Sequence, residues 1–344
     1  MSPTKVSIVI LNWNGKAMMQ QFLPSVVRHS RPAAQVVVAD NGSTDGSLEM
    51  LRRDFPEVQL LPLDANYGFA EGYNRALARL DSEYLLLLNS DVEVTPGWLE
   101  PLVGFLDTHP DYAACQPKLL AQRDPHSFEY AGAAGGYLDR YGYPFCRGRL
   151  FDSVEQDNGQ YDTPADVFWA TGAALLIRRT DWLAAGGFDG RFFAHMEEID
   201  LCWRLRARGR KIACVPASVA CHVGGGTLSA DNPRKTFLNF RNNLLMLYKN
   251  LPPRQLAAVI RVRTLLDYVA ALKFLLVGHW GDFRAVWRAR SEYRRLRPDF
   301  AASRQENMQK ALQQPIPEQY DASILMAYYL RGCKTFERLR WPQH

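Results

Sequence analysis

An α/β fold is predicted from this sequence: a mostly parallel sheet flanked by helices, followed by a basic helical C-terminal region. Three observations predict it. Short apolar runs alternate with helically spaced segments over the first 120 residues, each run ends in a polar cluster, and the charge balance changes sign near residue 233. The runs Val6–Leu11, Val36–Ala39, Val58–Leu61 and Tyr84–Leu88 are too apolar for half-exposed strands, so burial on both faces is expected. Helical spacing begins near Lys16, Gly46, Ala70 and Gly97.

In open sheets of this kind ligands bind beyond the carboxyl ends of the strands. The polar residues after each run are therefore the first site candidates. They are Asn12-Trp13-Asn14-Gly15 after the first strand, Asp40-Asn41-Gly42-Ser43-Thr44-Asp45 after the second and Asn89-Ser90-Asp91 after the fourth. Asn66-Tyr67-Gly68-Phe69-Ala70-Glu71-Gly72-Tyr73-Asn74-Arg75 lies between the last two. Each cluster also suits an ordinary turn or helix N-cap, but four such clusters in a row suggest a ligand. No P-loop is present and no G-x-G-x-x-G follows the first strand, so the common nucleotide signatures do not apply.

Asp91, at the sheet rim after four leucines, is placed to hold a hard divalent cation that also meets the phosphates of a nucleotide. Asp40 is placed to accept hydrogen bonds from a base edge or ribose, and small residues at Gly68, Ala70 and Gly72 leave room for backbone to approach a ribose-diphosphate. Further on, Glu197, Glu198 and Asp200 follow Arg191-Phe192-Phe193-Ala194-His195-Met196. Three carboxylates in an aromatic setting suit a general base of raised pKa; the plainer reading is an acidic first helical turn favoured by the helix dipole.

With 344 residues, 47% of them hydrophobic and 22% charged, the chain has the composition of a globular enzyme. Its six cysteines form no C-x-x-C pair, which points away from a zinc knuckle or disulfide framework and toward a reducing cytoplasm. The apolar stretch after Lys5 is too short for a signal sequence. Net charge is +5, but residues 1–233 carry 21 Lys and Arg against 28 Asp and Glu, a balance of −7, whereas residues 234–344 carry 20 against 8, a balance of +12. Leu265, Val269, Leu272 and Leu276 fall at helical spacing inside that basic region, near Arg261, Arg263 and Lys273. The run Thr264–Val277 is too short to span a bilayer, so it either lies on an anionic membrane surface or packs on the catalytic body.

From residue 5 to 245 these motifs, in number, order and spacing, resemble the family 2 inverting glycosyltransferases with a GT-A fold, especially the bacterial rhamnosyltransferase-like branch. The resemblance runs through Val6–Gly15, the Asp40–Asp45 turn, Asn66–Asn74, Leu88–Asp91, Gly172, Gly186–Arg204, His222 and Arg241-Asn242. It implies that Asn12, Asn14, Asp40, Asn41, Asn66, Gly68, Asn74, Asn89 and Arg241 bind the nucleotide sugar. Asp91 is similar to the last acid of the family's D-x-D motif, with Asn89 in place of the first, and His222, before a glycine-rich turn, to a second ligand of Mg²⁺ or Mn²⁺. Glu198 stands where the family places the base that deprotonates the acceptor hydroxyl, one methylene longer than the usual Asp, and Glu197 and Asp200 share the motif. Trp169, Gly172 and His195 are placed at the acceptor.

The implied partners are a nucleoside-diphosphate sugar donor, a glycan or polyprenyl-linked acceptor of cell-envelope polysaccharide synthesis and an anionic membrane surface, with no nucleic acid. The implied location is cytoplasmic, at the inner face of the membrane. A catalytic domain of residues 1–245 and a basic helical region of 246–344 are expected. Two rivals are a sugar nucleotidyltransferase, although Leu11–Gly15 lacks that class's basic signature, and a noncatalytic nucleotide-sugar or glycolipid binder.

Overall fold

The computed structural model describes residues 4–224 and 232–341. Along the chain, β1 (Val6–Asn12), α1 (Lys16–Ser30), β2 (Gln35–Asn41), α2 (Ser47–Asp54), β3 (Gln59–Leu63), α3 (Gly68–Leu77) and β4 (Tyr84–Leu88) build the first half. β1 pairs in parallel with β2 and β4, and β2 with β3. Side chains alternate across the sheet, as strand geometry requires. Val9, Leu85 and Leu87 enter the core on one face, and Ile8, Ile10, Leu86 and Leu88 the core on the other. Only β3 departs from the expected double burial: as the edge strand it leaves Leu60 and Leu61 partly exposed, because nothing pairs with its outer side.

The second half makes the sheet mixed. β5 (Val92–Val94), α4 (Leu99–Thr108), β6 (Tyr112–Ala121) and β7 (Asp124–Phe128) are followed by short strands β8 (Gly136–Asp139), β9 (Pro144–Cys146), β10 (Arg149–Leu150), β11 (Ser153–Val154) and β12 (Ala165–Asp166). Then come β13 (Ala174–Arg178), α5 (Arg179–Ala185), α6 (Glu197–Ala207) and β14 (Lys211–His222). The large sheet has the order β12-β14-β6-β13-β4-β1-β2-β3, with β13 antiparallel to both its neighbours. That insertion sets the residues just before β13 beside the end of β4, where Ala174 pairs with Leu88.

α7 (Pro233–Asn250), α8 (Pro253–Leu276), α9 (Trp280–Leu296), α10 (Ala301–Lys310) and β15 (Gln319–Tyr320) complete the chain. The expected division at 245/246 is corrected here, since it cuts through α7. β15 joins the smaller sheet beside β8, the Ile324 N–H donates to buried Asp139 at 3.0 Å, and the Leu312 N–H donates to the Ala207 carbonyl at 2.7 Å. The C-terminal region thus closes the core of the catalytic body.

α8 is amphipathic in an inverted sense. Its charged Arg263 and Asp267 are buried, with Asp267 also bound by Arg290 of α9 at 2.6 Å. Its apolar Leu265, Val269, Leu272 and Leu276 face outward, Leu276 being 77% exposed. One face of the segment therefore packs on the body through ion pairs, as one of the two sequence readings expects, and the leucine stripe does not pack there. Among the described residues no helix is long and apolar enough to cross a membrane.

Candidate active site

The ends of β1 and β2 are cross-tied. Asn12, fully buried, donates through Nδ2 to Asp40 Oδ1 at 2.9 Å and Ser43 Oγ at 3.1 Å, and the Ser43 N–H donates to Asp40 Oδ2 at 3.0 Å. Asn14 adopts a left-handed φ of 50° and accepts the Thr44 N–H at 2.7 Å. Asn12 Oδ1 is left buried and without a partner, an acceptor available to a ligand donor. Gly15 is required beside it, because a Cβ there would lie 2.5 Å from that oxygen.

The 66–74 segment is bonded differently from the expectation that it approaches a diphosphate. Asn41 clasps it, donating to Asn66 Oδ1 and the Gly68 carbonyl and accepting the Tyr67 N–H. Gly68 at φ 75° has no room for a Cβ, because the Phe193 ring would lie 2.5 Å away. The free N–H groups at the start of α3 are also taken: Phe69 and Ala70 donate to the Phe193 carbonyl at 2.8 and 3.1 Å. Asn74 exchanges two hydrogen bonds with the Phe188 backbone, both 2.9 Å. Asn41, Gly68 and Asn74, expected as nucleotide contacts, here form a framework that holds the segment before the acidic motif. Asn66, exposed, keeps its amide nitrogen outward while its oxygen accepts the Gly68 N–H at 2.9 Å.

Asp91 and His222, expected as metal ligands, lie side by side. His222 Nε2 lies 3.1 Å from Asp91 Oδ1, and Asn89 Nδ2 stands 3.5 Å from the same nitrogen. β14 brings them together, since His222 pairs with Val92 directly after Asp91. The sequence reading missed a third partner. Glu129, 3% exposed, places Oε1 3.2 Å from His222 Nδ1, close enough for an ion pair though off the line of a straight hydrogen bond. Burial disfavours the charged imidazole, but Asp91 and Glu129 outweigh it and push His222 up to about 10. No local motif marks Glu129; a hairpin and its turn carry it there. The glycine-rich turn after His222 lies, from Gly225 to Ala230, outside the described residues. Among the described residues no group of three metal-holding side chains is present. Asp91 Oδ1 and His222 Nε2 are the atoms that would hold a divalent cation, which would displace the proton between them, with an acid behind the ring.

The acidic motif opens α6. Three non-glycine residues with left-handed φ precede or cap it, Phe193 at 66°, His195 at 69° and Met196 at 73°, and such strain persists only where the surroundings impose it. Asn242 of α7 imposes it by donating to the carbonyls of Phe192, Ala194 and His195. Glu197 is 4% exposed and Glu198 half-buried, and each has a buried Oε2 without a partner. Burial, then the neighbouring Glu198 charge, raises Glu197 well above the ordinary carboxylate range. Burial raises Glu198 as well, against the pull of nearby backbone N–H groups. Asp200 is different. It accepts from Arg204 Nε at 3.0 Å, Lys249 Nζ at 2.8 Å and Asn250 Nδ2 at 2.8 Å, with no surface exposed. Its expected share in catalysis is corrected to a structural one, because its lone pairs are turned into the protein.

Gly172 links the two acidic centres. A Cβ there would lie 3.8 Å from Glu198 Cβ, and the next residue, Ala173, accepts the Asn89 N–H at 2.9 Å. Thr171 anchors this segment through Gln116 and the Ala131 carbonyl. Glu198 and the Asp91–His222 pair therefore flank one short strip of backbone. His195, held neutral because burial and then Lys235 lower it to about 4, leaves Nε2 buried and without a partner near the motif. Trp169 is corrected: it is 4% exposed, its Nε1 donates to the Tyr137 carbonyl at 2.9 Å and its ring covers Gly136, so it is core and not a sugar platform. Arg241 is likewise corrected from a donor contact, since it donates to the Phe192 carbonyl at 3.0 Å and to Asn242 at 2.8 Å.

Residues 7–167 match the family model of glycosyl transferase family 2. A relative from Mycobacterium tuberculosis, N-acetylglucosaminyl-diphospho-decaprenol L-rhamnosyltransferase, is 29% identical over 62% of this chain and 75% of its own length. Rhamnosyltransferase WbbL of Escherichia coli is 28% identical over 45% of this chain and 61% of its own. Among solved structures, GalNAc-T7 with UDP, GalNAc and Mn²⁺ aligns with a TM-score of 0.56 at 15% identity, over 72% of this chain and 48% of that one. A mannosyltransferase from Pyrobaculum calidifontis with GDP-Man and Mn²⁺ aligns with a TM-score of 0.52 at 14% identity, over 92% and 83%.

Proposed function

This chain carries a family 2 glycosyltransferase domain, and from that premise we propose that it transfers a sugar, with inversion, from a nucleoside-diphosphate donor to a hydroxyl of a lipid-linked glycan in cell-envelope polysaccharide synthesis. The observation that carries the reading is the strip Thr171–Ala173, with Glu198 against Gly172 on one side and Asn89, His222 and Asp91 beside Ala173 on the other. The rhamnosyltransferase relatives put a deoxyhexose donor first and a diphospho-polyprenol acceptor first.

Glu198 takes the proton of the acceptor hydroxyl on its unpartnered Oε2 as the hydroxyl oxygen bonds to the anomeric carbon. The bond from that carbon to the nucleotide diphosphate breaks on the opposite face, which is the geometry of inversion. Asp40, Asn12 and Asn14 hold the nucleoside, with Asn12 Oδ1 accepting from it. Asp91 and His222 would hold Mg²⁺ or Mn²⁺, and Glu129 lies against the ring of His222 to fix it. When bound, the cation neutralises charge developing on the departing diphosphate. His195, neutral, is a hydrogen-bonding group for the acceptor sugar.

A panel of UDP-, GDP- and dTDP-sugars, assayed for hydrolysis and transfer with Mn²⁺, Mg²⁺ or chelator, tests this reading. One donor turned over only with metal is the expected result, and turnover of none overturns it. Glu129→Gln is expected to raise the metal concentration giving half-maximal activity about 10–100-fold, as loss of an outer partner of a ligating histidine does. Unchanged metal dependence removes Glu129 from the site.

The exposed stripe on α8, together with Trp280 at 60% and Trp287 at 50% exposure, supports a peripheral association with anionic membrane. In flotation with vesicles, binding to a phosphatidylglycerol mixture is expected to exceed binding to pure phosphatidylcholine and to fall with salt. Leu276→Ser with Trp287→Ser is expected to abolish it.

A further inference from the structure

α7 and α9 enclose a cleft of about 640 Å³ that the donor chemistry does not use. Arg234, Arg241, Arg284 and Arg288 line it, and the rest of the lining carries no carboxylate. None of the four makes an ion pair among those of the described residues. Glu292 lies within electrostatic reach of Arg241 and Arg288 but is held bidentately by Arg295, and Asp282, next to Gly281, accepts from Thr236 at 2.6 Å. Four guanidinium groups lining one cleft, with no carboxylate among its lining residues, favour an anion with more than one charge.

The cleft is also apolar. The Arg234 guanidinium lies 5.1 Å from the Phe193 ring centre, and those of Arg241 and Arg288 each lie 5.3 Å from Phe237. Charge and hydrocarbon thus alternate within one wall, a surface that suits an amphiphile better than a free inorganic ion. The two ends of the cleft differ. At one end Phe193 leads into the acidic motif, and Arg241 binds the Phe192 carbonyl. At the other, Arg284 and Arg288 adjoin exposed Trp287, and Gly281 follows exposed Trp280.

We propose that this cleft seats the diphosphate and first isoprene units of a lipid-linked acceptor, whose sugar then reaches Glu198 while the remaining chain leaves past the tryptophans into the bilayer. The proposal rests on the lipid-acceptor reading above and adds to it the place where the anchor binds. In a sugar-diphospho-lipid the diphosphate is joined to the same sugar ring that bears the attacking hydroxyl, so an anion seat next to the acidic motif is what that acceptor demands. The donor diphosphate has its own cation-binding pair at Asp91 and His222, on a different element.

The test is calorimetric titration of the whole protein with farnesyl diphosphate, and separately with inorganic pyrophosphate, in the absence of donor. Farnesyl diphosphate is expected to bind at least about tenfold more tightly than pyrophosphate, the surplus coming from the buried hydrocarbon. Arg284→Ala with Arg288→Ala is expected to weaken it by about tenfold or more, with an unchanged melting curve because both residues are exposed. Rising salt is expected to weaken binding to the unaltered protein, which keeps the test decisive if the double variant does not fold. Equal affinity for pyrophosphate, full affinity in the folded double variant, or displacement by the nucleotide alone overturns the assignment. If a nucleotide sugar is turned over but farnesyl diphosphate does not bind, only this inference falls. If it binds but no nucleotide sugar is turned over, the proposed function falls and the cleft assignment stands.

Discussion

Glu198→Gln is expected to lower transfer by about 10²–10⁴-fold, the usual contribution of a positioned general base, while leaving donor binding and thermal stability close to those of the unaltered protein. The side chain keeps its length and its neighbour Gly172, and Oε2 has no partner to lose. The pH profile supplies an independent reading. Burial raises the Glu198 carboxyl above its ordinary value, and only the deprotonated form accepts the hydroxyl proton. Activity is therefore expected to fall as pH falls through that raised pKa, at a pH above the ordinary glutamate value of about 4.3. The residual activity of Glu198→Gln is expected to lack this acid limb. Full activity in the variant, or an acid limb that survives in it, moves the base to Glu197, whose Oε2 is equally unpartnered but more deeply buried.

Asp200→Ala is expected to lose activity for another reason, by unfolding. Its carboxylate is fully buried among Arg204, Lys249 and Asn250, and removing one partner of a buried ion pair costs about 3–5 kcal/mol. The lower end of that range is expected, because Lys249 retains Asp189 at 2.8 Å. Urea or thermal denaturation checks it. A variant that melts like the unaltered protein but does not turn over returns Asp200 to the catalytic group. Two acids separated by one residue, Glu198 and Asp200, thus give opposite signatures: one changes rate at constant stability, and the other changes stability.

How much of this was legible beforehand depended on range. The parallel strands β1, β2 and β4 announced themselves because double burial demands unbroken apolar runs. Asp91 and His222 were legible as separate positions, through their place after a strand and through resemblance. Glu129 was not, since its role arises only when a hairpin places it behind the imidazole. Trp169 and Asn74 misled for one reason: aromatic and amide side chains serve core and site equally well, and composition does not show which way they point. Their hydrogen bonds to Tyr137 and Phe188 decide it. The expected break at 245/246 failed because the change in charge marks a surface property, whereas α7 continues through it to supply Lys249 and Asn250 to Asp200.

By itself the sequence determined the α/β class, the strand-end polar clusters, the acidic motif and the basic C-terminal third, all of which follow from periodicity and composition over short windows. Only the tertiary structure decided that Asp200 is fully paired while Glu197 and Glu198 each keep a carboxylate oxygen without a partner, that α8 turns its charges inward and its leucines outward, and that four arginines from α7 and α9 share one cleft. Periodicity is set by the local backbone and is visible along the chain. Partnering of a charge is set by residues tens to hundreds of positions away, so it exists only once the chain has folded.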